Sequence, residues 1–222
     1  MWGVIVNRFK QGFRTLSYPK EVSSFPKRFR GRPTHCPVDM GTCLFNEDVP
    51  RAEGLIYSRD HRMAVSKRED LILHGDGVRL AAALNQKMRR MFGRSLKLRQ
   101  VCAGGCSGCE GEIQAMGNVV FDLSRFGIQF VASPRHADGL MITGPVTKNM
   151  ELALKKACEA VPHPKIVIAV GACAISGGPF QGGREVHDGV DGLIPVDLYV
   201  PGCPPHPLTI LDGLLRLLEF EE

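Results

Sequence analysis

Residues 101–112, VCAGGCSGCEGE, form the stretch around which the rest of the sequence is organised. Three cysteines lie on this glycine-rich turn: Cys102, Cys106 and Cys109. Two further cysteines occur far downstream in short motifs that also contain glycine, Cys173 in GACAISGG and Cys203 in PGCPP. Clustered thiols on such turns are typical of a metal site, provided that the fold brings the separate motifs together.

The composition is that of an ordinary globular protein. The chain has 222 residues, of which 44% are hydrophobic and 23% are charged, and this length suits one or two domains. The formal net charge of +5 is a mild bias, which argues against a dedicated nucleic-acid-binding protein. No apolar run approaches the ~20 residues that a membrane-spanning helix needs. We therefore expect no nucleic-acid partner and no spanning helix.

The cysteine content indicates a reducing compartment. The chain has eight cysteines: Cys36, Cys43, Cys102, Cys106, Cys109, Cys158, Cys173 and Cys203. No charged-then-apolar export signal opens the sequence, and clustered thiols in a reducing compartment more often bind metal than form disulfides. The spacing of Cys36 and Cys43 matches no cluster or zinc pattern, which favours free thiols. Cys158 falls in a helical pattern and is expected to be a small buried apolar side chain.

We predict an irregular amino-terminal extension over residues 1–94, which begins with an amphipathic helix. Large apolar side chains recur at helical spacing in residues 1–16: Trp2, Ile5, Phe9, Phe13 and Leu16. The basic residues Arg8, Lys10 and Arg14 lie between them. Such a helix either lies on a membrane surface or a partner's apolar surface, or caps the core of this chain. The sequence leaves both possibilities open.

The rest of the extension divides into a basic irregular segment and a helix. Five prolines argue against long helices or central strands in residues 17–68. A basic run in this segment is expected to be solvated or to face a partner: Lys27, Arg28, Arg30 and Arg32. From residue 68 to residue 93 the pattern becomes helical, with a helix start at Asp76 and Gly77 and a stop at Gly93.

From residue 95 onwards, short apolar runs alternate with helical patterns. Five strands are predicted, at residues 96–101, 128–132, 140–143, 165–170 and 197–200. Helices are predicted at residues 110–121, 149–160 and 207–218. The run KIVIAV at 165–170 is apolar on both faces, as expected for a central parallel strand. We therefore predict a flavodoxin-like α/β domain over residues 95–222, with a mainly parallel sheet that carries helices on both faces.

This fold brings the separated cysteines to one edge, because the loops that follow parallel strands all leave the sheet there. The predicted site consists of four thiols that follow three of the strands: Cys106, Cys109, Cys173 and Cys203. Four thiolates suit one 4Fe–4S cluster or, less often, zinc. The surrounding glycines let the backbone approach a bulky cubane, which favours the cluster. Cys102 lies where its strand ends, either beside the cluster or as an alternate ligand.

Three motifs carry a resemblance to a known family over residues 95–222. They are CSGCEGE at 106–112, GACAISGG at 171–178 and PVDLYVPGCPP at 195–205. They resemble the family that contains the small electron-transfer subunit of membrane-bound nickel–iron hydrogenases and the cluster subunit nearest the quinone site of respiratory complex I. The pattern CxGCxxE, at Cys106, Cys109 and Glu112, is similar to the hydrogenase branch, whereas complex I has adjacent cysteines at this place.

The resemblance implies an electron-relay subunit with one 4Fe–4S cluster, held by Cys106, Cys109, Cys173 and Cys203. Such a subunit is part of an oxidoreductase complex, here a membrane-associated hydrogenase or a hydrogenase-like complex of the formate hydrogenlyase type, and holds no complete active site itself. The implied partners are a large catalytic subunit, ferredoxin-like subunits and membrane subunits. The implied location is peripheral, on the cytoplasmic side of the membrane, with residues 1–16 as a membrane contact.

Two further features take their meaning from the resemblance. The carboxylate that matches Glu112 in the family faces the partner subunit, and it is a candidate for proton or hydrogen-bond transfer there. The plain alternative is an acid at the start of a helix, favoured by the helix dipole. Residues 18–33, which include FRGRP, resemble the lead-in of ferredoxin-like subunits in the same complexes. The CxxCxxCxxxC runs that would follow are missing, so no second cluster is expected.

Two alternatives to the hydrogenase-type relay stay open. In the first, the same relay reduces quinone in a complex I-like NADH:quinone oxidoreductase. In the second, the four thiols hold zinc in an assembly or scaffold module without redox work. The identity of the large subunit that co-purifies with the chain distinguishes the first alternative from the hydrogenase-type relay. Metal analysis distinguishes the second alternative from it.

Overall fold

The structure is a computed structural model that describes residues 2–21, 24–34, 38–42, 56–74, 77–92 and 95–219. Some residues discussed above lie outside these ranges: Cys36, Cys43, Asp76 and Gly93. Within these ranges, no helix is long and apolar enough to cross a bilayer.

Short elements make up the first part of the chain. They are α1 (Trp2–Gln11), β1 (Pro33–Thr34), β2 (Val38–Asp39), β3 (Ile56–Tyr57), β4 (Ile72–Leu73) and α2 (Gln86–Phe92). Strand β1 pairs with β3, and β2 pairs with β4, both antiparallel. A 3-10 turn at Arg68–Leu71 leads directly into β4. In both two-stranded sheets, the paired strands are therefore distant from each other in sequence.

The first predicted helix forms, but it is shorter than residues 1–16. It ends at Gln11 because Gly12 adopts a φ of +62°, the left-handed conformation that commonly terminates helices. Beyond it, the Leu16 amide donates to the Val120 carbonyl at 2.9 Å. Leu16 thus belongs to the body of the protein, and none of the residues of α1 is buried.

The prediction of a helix that starts at Asp76 and Gly77 and ends at Gly93 is wrong for most of its length. Residues 77–85 are not helical because their amides bond elsewhere: the Ala81 amide donates to the Ala64 carbonyl at 2.8 Å, and the Leu84 amide to the Leu217 carbonyl at 2.9 Å. Helix α2 begins only after Asn85, whose side chain accepts from the Met88 amide at 3.0 Å as an N-cap.

The five predicted strands are confirmed, with ends that differ by one or two residues. They are β5 (Leu96–Cys102), β6 (Ile128–Phe130), β7 (Gly139–Thr143), β8 (Ile166–Val170) and β9 (Leu198–Val200). All neighbouring pairs are parallel, in the order β6-β5-β7-β8-β9. This is the flavodoxin-like order, in which the chain reverses direction across the sheet between the neighbours β5 and β7.

Helices cover both faces of the sheet, as predicted. They are α3 (Gly108–Ala115), α4 (Lys148–Ala160), α5 (Ala172–Ser176) and α6 (Pro207–Leu218). Alternate residues of β8 enter two separate apolar clusters, Ile166 and Ile168 with α3 and α6, and Val167 with α4 and α5. Cys158 on α4 is buried in the second cluster, as expected.

Helix α3 is shorter than the predicted helix over residues 110–121. Its last residue is Ala115, and the Asn118 side chain then accepts hydrogen bonds from the Val120 and Phe121 amides at 2.8 and 3.2 Å. This local turn offers the backbone an alternative to the helical hydrogen bonds. Helix α5 was not predicted, although its sequence contains Cys173.

The amino-terminal residues pack directly on the sheet domain. The buried Tyr18 hydroxyl donates to Asp212 Oδ1 on α6 at 2.8 Å. Val65 forms an antiparallel bridge with Tyr199 on β9, and the Ser176 hydroxyl donates to the Gly41 carbonyl at 2.8 Å. The first part of the chain therefore covers the flank of the sheet beside β9, while its description as a separate unit of residues 1–94 stays a prediction.

Candidate metal centre

The predicted cysteines follow strands that end at the same edge of the sheet. Strand β5 leads to Cys106 and Cys109, β8 to Cys173, and β9 to Cys203. Two hydrogen bonds tie the second and third loops together, since the Gly171 amide donates to the Val200 carbonyl and the Ala172 amide to the Gly202 carbonyl, both at 2.8 Å. Thiols from three separate parts of the sequence therefore meet at this edge.

Glycine is required where the ligand loops approach one another. A Cβ atom on Gly171 would lie 2.5 Å from Cys109 Sγ, and a Cβ on Gly178 would lie 2.9 Å from Cys173 Sγ. Gly171 also has a φ of +89°, a conformation that residues with a side chain rarely adopt. A side chain at either glycine would therefore occupy the space of a cysteine sulfur, and the two positions form a glycine cradle around the site.

The Cys109 thiol is half-buried and lies in the electrostatic field of other acidic groups. Burial raises the pKa of the Cys109 thiol to about 12, and the nearby Glu110, Cys173, Cys203 and Cys106 raise it further. Metal binding requires the thiolate, and a bound metal would supply the positive charge that offsets this mutual repulsion. Cys109, Cys173 and Cys203 are half-buried, and Cys106 is exposed.

The residues present fit an iron–sulfur cluster in their donor chemistry and in the glycine cradle around them. Among the described residues, no three His, Cys, Asp or Glu side chains lie close enough together to bind a single metal ion. In a 4Fe–4S cluster each thiolate binds a different iron, so the four sulfurs lie further apart than the ligands of one ion. The assignment of individual ligands stays a prediction.

Cys102 makes a different contact, which involves a residue that the sequence did not single out. The Cys102 thiol and the Thr143 hydroxyl both hydrogen-bond to Glu110, the latter at 2.5 Å to Oε1. Burial raises the pKa of the Glu110 carboxyl, but these two hydrogen bonds outweigh it and hold the pKa below its ordinary value. Cys102 and Thr143 are cross-strand partners in the β5–β7 register, which is the structural origin of the contact.

Glu110 is the acid in the first turn of α3, and Glu112 lies further along the helix. The plain alternative for Glu112 was an acid that the helix dipole favours at the start of a helix. In the structure this description fits Glu110. Burial raises the pKa of Glu112. Glu112 lines a cavity of about 270 Å³ together with Phe29, Tyr57 and Cys203, so this carboxyl faces the vicinity of the site.

Comparison with known proteins identifies the family. The model of the family described as "NADH ubiquinone oxidoreductase, 20 Kd subunit" matches residues 106–217, about half of the chain. The chain belongs to this family. The match begins at Cys106 and includes Cys109, Cys173 and Cys203, whereas Cys102 precedes it.

Individual relatives come from two kinds of complex. The chain is 44% identical to formate hydrogenlyase subunit 7 of Escherichia coli over 64% of its own length, and it spans only 55% of that protein. It is 45% identical to the probable membrane-bound hydrogenase subunit mbhJ of Pyrococcus furiosus, over 59% of this chain and 78% of that one. It is 39% identical to a subunit of the NADH-quinone oxidoreductase of Desulfovibrio desulfuricans, over 78% of this chain and 92% of that one.

A solved structure agrees with the fold. A chain of the archaeal membrane-bound sulfane sulfur reductase, described as a respiratory membrane complex, is 34% identical and superposes with a TM-score of 0.53. The superposition covers 61% of this chain and 75% of the other. Relatives of this chain are therefore subunits of oxidoreductase complexes of more than one type, and sequence identity alone does not separate these types.

We expect Gly171→Ala to deplete the site of iron severalfold, because the added Cβ would occupy the space of Cys109 Sγ at a positive φ. Gly111→Ala on α3 is the matched control, since nothing lies within 4 Å of its Cβ position. Iron content and visible absorbance of the purified proteins measure the effect. Equal iron content in the two variants would show that the cradle around Cys109 is not part of the site.

Proposed function

We propose that this chain is the electron-relay subunit of a membrane-associated hydrogenase or of a hydrogenase-like complex of the formate hydrogenlyase type. The observation that carries the proposal is the convergence of Cys106, Cys109, Cys173 and Cys203 at one sheet edge, in a family whose members are subunits of such complexes. In this proposal the four thiolates hold one 4Fe–4S cluster.

The bound cluster supplies one-electron transfer, and the chain supplies the ligands and their surroundings. Half-burial of Cys109, Cys173 and Cys203 limits the access of water to the site. The hydrogen bonds from Thr143 and Cys102 hold Glu110, and with it the start of α3, against strand β7. The relay thus depends on loops whose positions are fixed by the sheet.

The proposal places the reacting centre in a partner. This chain contributes no complete active site, and a large catalytic subunit of the nickel–iron hydrogenase type is the proposed neighbour of the cluster. Glu112, on α3, is proposed to face that subunit, as the family resemblance implies. Ferredoxin-like and membrane subunits complete the proposed assembly, in keeping with the membrane-bound complexes of the relatives.

A complex I-like function is the second candidate. It is favoured by the NADH-quinone oxidoreductase relative, of which this chain covers 92% at 39% identity. In that case the relay passes electrons toward quinone rather than toward a nickel–iron centre. The large subunit that co-purifies with the chain decides between the two functions. Paired CxxC motifs at both ends of that subunit indicate nickel–iron ligation, and their absence indicates that quinone is the electron acceptor.

The ligand set is tested by two cysteine variants. Cys106→Ser is expected to lose or degrade the cluster, because serine replaces one of four thiolate ligands. Cys102→Ser is the matched control and is expected to keep it, because the Cys102 thiol is occupied with Glu110. Iron content and the EPR signal of the reduced protein are the measurements. Loss of the cluster in Cys102→Ser with retention in Cys106→Ser would reverse the assignment.

Helix α1 is the proposed contact with the cytoplasmic surface of the membrane. Its aromatic side chains are almost fully exposed, with Trp2 at 80% and Phe9 at 83%, and Phe13 follows at 99%. Arg8 and Lys10 lie in its last turn, and the described residues 2–20 contain no acid. Basic helices with aromatic anchors bind the interface of anionic bilayers.

Removal of residues 1–13 is expected to weaken binding to anionic lipid vesicles by about tenfold or more, since each buried large apolar side chain contributes about 1.5–3 kcal/mol. Cluster content is expected to stay unchanged, because the contacts from Thr15 to Val119 and from Leu16 to Val120 are retained. Leu152→Ser, which removes an exposed apolar side chain from α4, is the control for nonspecific hydrophobic binding to vesicles. Unchanged vesicle binding, or loss of the cluster, would contradict this role.

A further inference from the structure

Six cations lie on two neighbouring segments of the amino-terminal part of the chain, here termed the basic face: Lys27, Arg28, Arg30, Arg32, Arg59 and Arg62. Backbone pairing brings its two segments side by side. The Gly31 amide donates to the Ser58 carbonyl at 3.0 Å, and the Arg32 amide donates to the Asp60 carbonyl at 2.8 Å. The basic face is therefore fixed by main-chain hydrogen bonds and is not a run of independent side chains.

The basic face carries a local excess of positive charge. Asp60 is the one acid within residues 24–34 and 56–62. It is held by Arg62 through hydrogen bonds of 2.8 and 2.9 Å and lies 3.7 Å from Arg32. Six cations and one carboxylate give an excess of five positive charges, which equals the formal net charge of +5 of the whole chain. A second basic segment, residues 2–20, carries four cations and no acid, and the surplus of acids in residues 95–222 offsets it.

The basic face borders the opening over the proposed cluster site. The cavity of about 270 Å³ is lined on one side by Phe29, Arg30 and Tyr57. On the other side it is lined by Cys203 and Pro204. The Arg30 guanidinium lies 5.7 Å from the centre of the Tyr57 ring. A protein that rests on the basic face is thus separated from the Cys203 loop by this cavity and its aromatic walls.

The structure assigns the basic face as the docking surface of an acidic one-electron carrier protein that reduces or oxidises the cluster from the Cys203 side. This inference rests on the proposed function. In the reducing direction, the reduced carrier loses one electron and the cluster gains it, and no bond or proton changes place. Complementary charge would speed the encounter by about 10- to 1,000-fold at low ionic strength.

An acidic protein fits this face better than a bilayer does. A bilayer-binding surface presents exposed apolar side chains among its cations. Helix α1 has five large ones, whereas Ile56 alone is exposed among the described residues 24–34 and 56–62. On the basic face the aromatic side chains are half-buried instead: Phe29 stacks on Phe25 with ring centres 4.1 Å apart, and Tyr57 lines the cavity. Lys27, Arg28 and Arg59 are exposed and present their charge to solvent.

The test compares two double charge reversals in the full chain with its cluster. Lys27→Glu with Arg28→Glu alters the basic face. Lys97→Glu with Arg135→Glu makes the same charge change at the opposite edge of the sheet. Both residues are exposed: Lys97 lies near the start of β5, and Arg135 lies in the turn before β7. A reduced soluble ferredoxin of strongly negative net charge is the probe, and the rate of cluster reduction is followed by stopped-flow absorbance over a range of salt concentrations.

We expect the first variant to slow reduction by about tenfold or more at low salt and to flatten the salt dependence, with the control within about twofold of the wild type. Equal slowing in both variants, or a wild-type rate independent of salt, would overturn the inference. So would selective loss of anionic-vesicle binding in the first variant without a change in rate.

The signal of the dithionite-reduced cluster is recorded for every protein. Its absence from the wild type would defeat the proposed function itself, whereas its presence together with an unaffected ferredoxin rate would defeat only the docking surface.

Discussion

The hydrogen bond from the Gly171 amide to the Val200 carbonyl is the constraint on which the site depends. It continues the β8–β9 pairing one residue past the end of β8 and helps to fix the loop of Cys173 against the loop of Cys203. Because Gly171 has no side chain, Cys109 can approach from α3 into the same space. Parallel strands supply the common edge, and glycine at one position allows the three loops to share it.

Much of this arrangement was predictable from the sequence. The apolar, β-branched run that forms β8 is typical of a strand covered on both faces, and the alternation of short strands and helices predicts a parallel sheet. The convergence of Cys109, Cys173 and Cys203 follows from that topology alone. What a linear pattern does not contain is register: the contact of Glu110 with Thr143 exists because Cys102 and Thr143 are partners across β5 and β7.

Elsewhere, long-range contacts overrode local preference. Residues 77–85 have a helical pattern, yet Ala81 and Leu84 are bound to the backbone of Ala64 and Leu217, so the segment runs along the surface of the domain instead. Long-range contacts also determine the conformation of the rest of the amino-terminal part of the chain. Its short strands acquire their positions from α6, β9 and the loops around the site, and its conformation could not be predicted without them. It leaves two basic surfaces exposed, the helix α1 and the basic face, whereas residues 95–222 carry ten cations and fourteen acids.

The most direct test of the central claim is the metal and sulfide content of the full chain purified without oxygen, combined with EPR spectroscopy after reduction. One 4Fe–4S cluster predicts a brown protein with about four irons and about four acid-labile sulfides per chain, and an EPR signal that appears on reduction. A colourless protein with about one zinc per chain and no acid-labile sulfide would contradict the account.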